Sequence, residues 1–159
     1  MPYLVESRCG RPLACALFGA AAWKCGPRDR FIGWGDQARR EHLQSLANNS
    51  RLLILPWVQV PGLASHLLGI LARRVSGDWQ RKYGHRIYLL ETFVEQERFA
   101  GTAYRAAKWI HLGQTRGRGR QGPDPRIRSA SIKDIYLRPL HPGFRQLLHG
   151  APPSNRPAN

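Results

Sequence analysis

Residues 51–69 read RLLILPWVQVPGLASHLLG, and the fold turns on whether this stretch is one element or two. The first ten positions, RLLILPWVQV, form an apolar, β-rich run of strand length. From Leu63 the period changes: Leu63, Leu67 and Leu71, with Leu68 and Val75, recur at helical spacing, and Gly84 is a natural terminator. A strand that feeds a long helix predicts a crossover to a parallel neighbour. Pro56 cannot donate to a ladder, so the same stretch predicts a gap in the sheet near Pro56 and Trp57.

The flanks extend this pattern. HRIYLLETFV at 85–94 reads as the next buried strand, and RFAGTAYRAAKWIHL at 98–112 as a helix with Phe99, Ala103, Ala106 or Ala107, and Ile110 on one face. IKDIYLRPL at 132–140 is a final strand. Upstream, PYLVES and PLACALFGAAAW flank RCGR, where Gly10 supplies the turn of an antiparallel hairpin. CGPRDRFIGWGD at 25–36 reads as loop, and Asp36 as the N-cap of a helix QARREHLQSLANN ending at Asn48 and Asn49. The expected class is α/β: a mixed β-sheet flanked by helices, with an N-terminal hairpin and then β-α-β units. One domain is expected over residues 1–149, followed by a disordered Pro- and Asn-rich tail at 150–159.

Composition narrows the class of partner. The chain has 159 residues and is 42% hydrophobic, which excludes an intrinsically disordered chain and suffices for a core. Lys and Arg outnumber Asp and Glu by 25 to 10, leaving a formal charge of +15 that favours polyanions. The excess is uneven, since residues 1–80 carry 10 basic and 5 acidic side chains and residues 81–159 carry 15 and 5. Nucleic acid is the leading partner class. The apolar run at 13–23 is too short to span a bilayer, so no membrane partner is expected. Cys9, Cys15 and Cys25 lack zinc-site spacing and read as buried thiols of a cytoplasmic protein.

Two places concentrate candidate chemistry. GQTRGRGR at 113–120 sets three arginines at alternate positions between glycines, so the backbone can approach phosphate while guanidinium forks bind it. Gln114, Thr115, Arg116, Arg118 and Arg120 are therefore the candidate nucleic-acid-binding residues, with a solvated basic loop as the alternative. Trp57 and Trp109 are either stacking faces or, for Trp109 on an apolar helix face, core. Glu91 is a carboxylate in the middle of an apolar strand and needs a partner. Either Arg105 or Arg51 pairs with it, or it serves as a general base or, with Asp134, as a magnesium ligand for phosphodiester cleavage. Asp29 reads as a loop salt bridge, His66 as a phosphate contact or surface group, and His111 as a partner of helix-terminal carbonyls.

The order of elements resembles the GNAT acyltransferase fold. VPGLASHLLG at 60–69 and FAGTAYRAAKW at 99–109 carry this resemblance. It implies that Gly62, Ala64, Ser65 and His66, at a helix N-terminus, face the pyrophosphate of acyl-CoA. It also implies that Tyr104 acts as the general acid for a departing thiolate. Trp109 matches the aromatic end of the fold's Tyr-x-x-x-Gly-Phe pattern, but Lys108 stands where that pattern has glycine. The phosphate turn is only Pro61-Gly62-Leu63, poorer in glycine than in active members of that fold.

A resemblance covering most of the chain is to the DruA family, carried by AWKCGPRDRFIGW, NNSRLLILPWVQVPGLASHLLG, LLETFVEQERFAGTAYRAAKWIHLGQTRGRGR and KDIYLRPL. That family occurs in Druantia anti-phage systems and beside or fused to transposases. Its members are generally longer at the N-terminus, so the resemblance implies that this chain lacks an N-terminal part of the family. The resemblance implies defence-system or transposase proteins as further partners. Together with the charge, it makes a nucleic-acid-binding or nucleic-acid-processing role, on DNA, the leading expectation. An acyl-CoA-dependent N-acyltransferase and a non-catalytic adaptor are the alternatives, with acyl-CoA or Mg2+ as the corresponding small ligands.

Overall fold

The computed structural model describes residues 1–115 and 131–150. Six strands form one mixed sheet in the order β1-β2-β3-β4-β6-β5. Strands β1 (Pro2–Glu6) and β2 (Pro12–Ala20) make the hairpin, and β2 runs antiparallel to β3 (Leu46–Ile54). The long helix α3 (Leu63–Tyr83) then carries the chain across to β4 (Leu89–Glu95), which lies parallel to β3. β4 pairs antiparallel with β6 (Lys133–Pro139), and β6 with β5 (Ile110–Gln114). This is a GNAT-like α/β arrangement. No helix among the described residues is long and apolar enough to cross a membrane.

Each sheet face has its own core, because successive β-strand side chains point to opposite faces. On one face Leu90 and Val94 of β4 pack with Phe18, Trp109 and Tyr136 beneath the α3 stripe of Leu68, Leu71, Val75 and Trp79. On the other, Leu89 and Leu137 meet Ile32, Trp34, Phe144 and Leu148. That second face is covered by three short helices, α1 (Gly26–Ile32), α2 (Asp36–His42) and α5 (Phe144–Leu148).

The local reading of the sequence needs several corrections. The segment expected as loop contains α1, which begins with Pro27 in its first turn, where a missing N–H costs nothing. Asp36 is the first residue of α2 rather than its cap, and it pairs with Arg39 at 2.9 Å. That helix stops at His42, so Asn48 and Asn49 lie within β3 instead of ending a helix. Of the three cysteines only Cys25 is buried, while Cys15 is half-buried and Cys9 exposed.

The gap in the sheet exists but opens earlier than Pro56. β3 and β4 pair only over Leu46–Asn48 and Leu89–Glu91. Beyond that, the β2–β3 register shifts between Leu17 and Phe18, which face Arg51 and Asn49 and leave Ser50 as the extra residue of a bulge. The bulge bends β3 away from β4, and the strands fork.

The helix expected to run to residue 112 is also short. α4 spans Thr102–Ala106, and Lys108 takes a left-handed backbone with φ 61°, turning the chain into β5. Lys108 is the one non-glycine residue with positive φ among the described residues, at the position where the resemblance placed glycine. Gly101, before α4, has φ 67°, and a Cβ there would lie 2.4 Å from the Tyr136 hydroxyl. The two positions predict opposite outcomes in urea denaturation. Lys108→Gly is expected to stabilise the protein by about 1 kcal/mol through release of left-handed strain. Gly101→Ala is expected to destabilise it by more than about 1 kcal/mol, since strain and a steric clash add.

Candidate functional site

The apex of the fork is built around Asn49, 2% exposed. Its Nδ2 donates to the carbonyls of Leu17 at 3.2 Å and Arg51 at 2.9 Å, on either side of the bulge. Its Oδ1 accepts a hydrogen bond from the Tyr104 hydroxyl at 2.7 Å. Across the gap, the Thr92 hydroxyl donates to the Asn49 carbonyl at 2.8 Å. One residue therefore holds the bulge and the tyrosine of α4 through its side chain, and the first unpaired step of the fork through its carbonyl.

Tyr104 is fixed from its other sides by rings. It stacks on Tyr136 with centroids 5.8 Å apart and meets Trp109 edge-on at 5.1 Å. The Arg105 Nε donates to the Tyr136 hydroxyl at 3.2 Å. Burial pushes the Tyr104 phenol above the usual tyrosine range, against a smaller opposing effect of the Thr92 hydroxyl. The residue is thus a neutral phenol that directs its proton at Asn49.

The fork opens into a cleft of about 690 Å³ bounded by β3, β4, α4 and the start of α3. Arg51, Arg98 and Lys133 line it with Asn49, Thr92 and Tyr104. Among the described residues that line it, Glu95 is the acidic one, and it lies 3.9 Å from Arg98. Of the four positions expected to face a pyrophosphate, Ala64 lines this cleft. Gly62 is the left-handed N-cap of α3, Ser65 turns its hydroxyl onto the Gly62 carbonyl at 2.9 Å, and His66 is exposed.

Glu91 belongs to the opposite face. It is fully buried and receives Arg28 Nη1 at 2.8 Å and the Ala22 amide at 2.6 Å. Burial raises its pKa and the adjacent guanidinium opposes that rise. The partner is Arg28, neither Arg105 nor Arg51. Arg28 in turn bonds the Ala22 carbonyl and Asp29, and Asp29 also accepts from Trp34 Nε1 and faces Arg39 at 3.6 Å. Asp29 therefore sits in helix α1 within a buried network.

A shared magnesium site for Glu91 and Asp134 does not form. Glu91 faces Leu137 across the ladder and Asp134 faces Val94, three residues along β4, so the carboxylates point to opposite faces. Asp134 bonds His111 at 2.9 Å and Gln96 at 2.8 Å, which hold it below the usual carboxylate range despite burial. His111 is thus a strand residue paired with Asp134, not a helix-end group. Among the described residues no cluster of His, Cys, Asp or Glu could hold a metal ion.

The nucleic-acid candidates divide. Gln114 ends β5 exposed, and the Thr115 hydroxyl accepts from the Lys133 amide at 3.0 Å; both line a second cavity, of about 490 Å³. Arg116, Arg118 and Arg120 lie outside the described residues. Trp109 is buried in the core, whereas Trp57 is exposed and donates to the Pro12 carbonyl at 3.2 Å.

Residues 1–122 match the family of the Druantia protein DruA. The chain belongs to the DruA family. No curated protein matches this DruA-family chain in sequence. In fold it is similar to a GNAT superfamily phosphinothricin acetyltransferase from Sinorhizobium meliloti, solved in complex with AcCoA. That likeness has a TM-score of 0.53 at 14% identity, over 87% of this chain and 60% of that one. A spermidine N-acetyltransferase from Vibrio cholerae gives a TM-score of 0.53 at 10% identity, over 90% and 66%. The DruA-family chain thus spans less than two thirds of either protein. At these identities the likeness shows the fold alone.

Asn49 and Arg28 are the residues that sequence reasoning missed. A polar Asn-Asn-Ser directly before an apolar strand was the available signal for the first, and an unpaired Glu in LLETFV for the second. Breaking the buried pair from one side, by Glu91→Gln or Arg28→Met, is expected to cost about 3–5 kcal/mol in urea denaturation. The double replacement Arg28→Met with Glu91→Leu is expected to recover much of that loss, because no charge is then left buried alone.

Proposed function

We propose that this chain is a component of an anti-phage defence system and that its cleft binds an acyl-CoA thioester for transfer of the acyl group to an amine. The observation that carries this reading is the fork itself, with the Tyr104 hydroxyl held at its apex by Asn49. Past Glu91, β3 and β4 no longer pair in a ladder, and beyond the Thr92–Asn49 contact each strand turns an unpaired edge to the gap. Such edges suit an extended ligand that carries amides of its own, as a pantetheine arm does. Arg51, Arg98 and Lys133 suit its phosphates.

A bound thioester supplies an activated carbonyl and a sulfur leaving group. Tyr104 holds the proton that a departing thiolate takes up, and the raised phenol keeps that proton throughout the neutral range. Among the described residues that line the cleft, the acidic one, Glu95, faces Arg98 at 3.9 Å, and we assign it no role as a base. The acceptor amine must therefore arrive neutral. Its nitrogen forms the new bond to the acyl carbon as the carbon–sulfur bond breaks, the thiolate takes the Tyr104 proton, and the surplus proton of the amine leaves to solvent, from which the phenolate is reprotonated.

Acetyl-CoA is expected to raise the melting temperature by several degrees at about 100 times its Kd, worth about 2.7 kcal/mol. Tyr104→Phe should keep that shift while lowering kcat by about a hundredfold or more. Activity should show no pH limb belonging to a protein base, and should climb with pH only where the acceptor amine is itself protonated in the range measured. The absence of any thermal shift would remove the thioester reading.

Nucleic-acid binding is a second reading, supported by the net charge of +15 and its excess in residues 81–159. Fluorescence anisotropy over a salt series would compare a variant lacking Arg116, Arg118 and Arg120 with a control lacking the exposed Arg40, Arg73 and Arg86. A larger loss of affinity and of salt slope in the first variant is the expected outcome. Equal losses would reduce the interaction to diffuse charge.

A further inference from the structure

The second cavity lies on the face of the sheet opposite α3. Phe93, Ile135 and the α1 segment form its walls, and Lys24, Arg30, Gln114 and Thr115 bring its polar atoms. Its volume is about 490 Å³, and Phe93 lines both this cavity and the cleft of the fork. A molecule in the second cavity is thus separated from the fork by one half-buried ring.

The charge of this cavity is one-sided. Among the described residues none that lines it is acidic, and neither Lys24 nor Arg30 forms an ion pair. Glu91 and Asp29 lie behind the wall, where each pairs with Arg28 and accepts a main-chain amide of a lining residue, Ala22 for Glu91 and Cys25 for Asp29. A polyamine would bring several positive charges to two uncompensated cations and find nothing to pair with. A phosphate group finds two cations, with the neutral groups of Gln114 and Thr115 beside them.

We infer that this second cavity holds the acceptor and that the acceptor is a phosphate-bearing molecule, either a nucleoside phosphate or a strand of nucleic acid. The inference rests on the acyl-transfer reading of the fork, and it assigns the substrate class for the same site. Lys24 and Arg30 hold the phosphate on one face of the sheet, and Phe93 sets how far the acceptor reaches towards Tyr104.

The test measures two ligands on the full chain, wild type and the variant Lys24→Gln with Arg30→Gln. CoA binding is followed by thermal shift. Binding of cytidine monophosphate and of a short single-stranded oligonucleotide is followed by calorimetry. The double variant is expected to bind CoA as wild type does and to lose about tenfold or more in affinity for the phosphate ligand. Preference for the mononucleotide identifies a small-molecule acceptor, and preference for the oligonucleotide a strand. CoA binding with phosphate binding unchanged in the variant would overturn the acceptor assignment alone. Loss of CoA binding in the wild type would overturn the reading of the fork. Tighter binding of spermidine than of the monophosphate would overturn the charge argument directly.

Discussion

The fork between β3 and β4 depends on how its apex is held, and it is held from both faces at once. Asn48 and Glu91 are the last residues at which the two strands pair. On the face of the short helices, Glu91 is clamped by Arg28 and by the amide of Ala22, which ties the segment after β2 to the middle of the sheet. On the α3 face, Asn49 and Thr92 close the first step of the opening and Asn49 takes the Tyr104 hydroxyl. A pair of parallel strands that simply diverged would expose the ladder groups of both edges along their length. Here the divergence begins at a fixed residue because an ion pair and an amide network meet at that level from opposite sides.

This arrangement separates structural and chemical roles between neighbouring residues of one strand. Glu91 serves the buried network, Thr92 the apex, Phe93 the wall between two cavities, and Glu95 the rim of the cleft. A carboxylate in an apolar strand invited a catalytic reading. The interior met it with a guanidinium instead, while the phenol of Tyr104 on the opposite face is hydrogen-bonded at the apex of the fork.

Much of the fold was legible because its long elements are strongly periodic. The stripe of α3, its terminal Gly84, the N-terminal hairpin and the strand around Leu89–Glu95 all follow from spacing. The short pieces were not legible. A seven-residue helix begun by Pro27 looks like loop, and a helix turned off after one turn by a left-handed lysine looks longer than it is. Asn49 was hidden for a related reason: asparagine ends helices in isolation, and only the parallel neighbour makes it the apex of a fork. Arg28 was hidden because nothing local marks which of many arginines will be buried. Tyr104, placed by the resemblance at a reactive position, stands at the fork; Gly62, Ser65 and His66 shape the start of α3 without lining the cleft.

Among the described residues, β1 and β5 are the two edges of the sheet, and they are protected unequally. β1 begins with Pro2 and ends with Glu6 at an irregular register, both of which discourage another strand from adding to it. β5 is five residues long and presents a half-exposed Ile110, and the chain leaves it directly into Arg116, Arg118 and Arg120. Its shortness leaves few ladder groups for another strand to pair with. The net charge of +15 adds a repulsion between copies that concentrated salt screens, so any association through that short edge is favoured at high ionic strength.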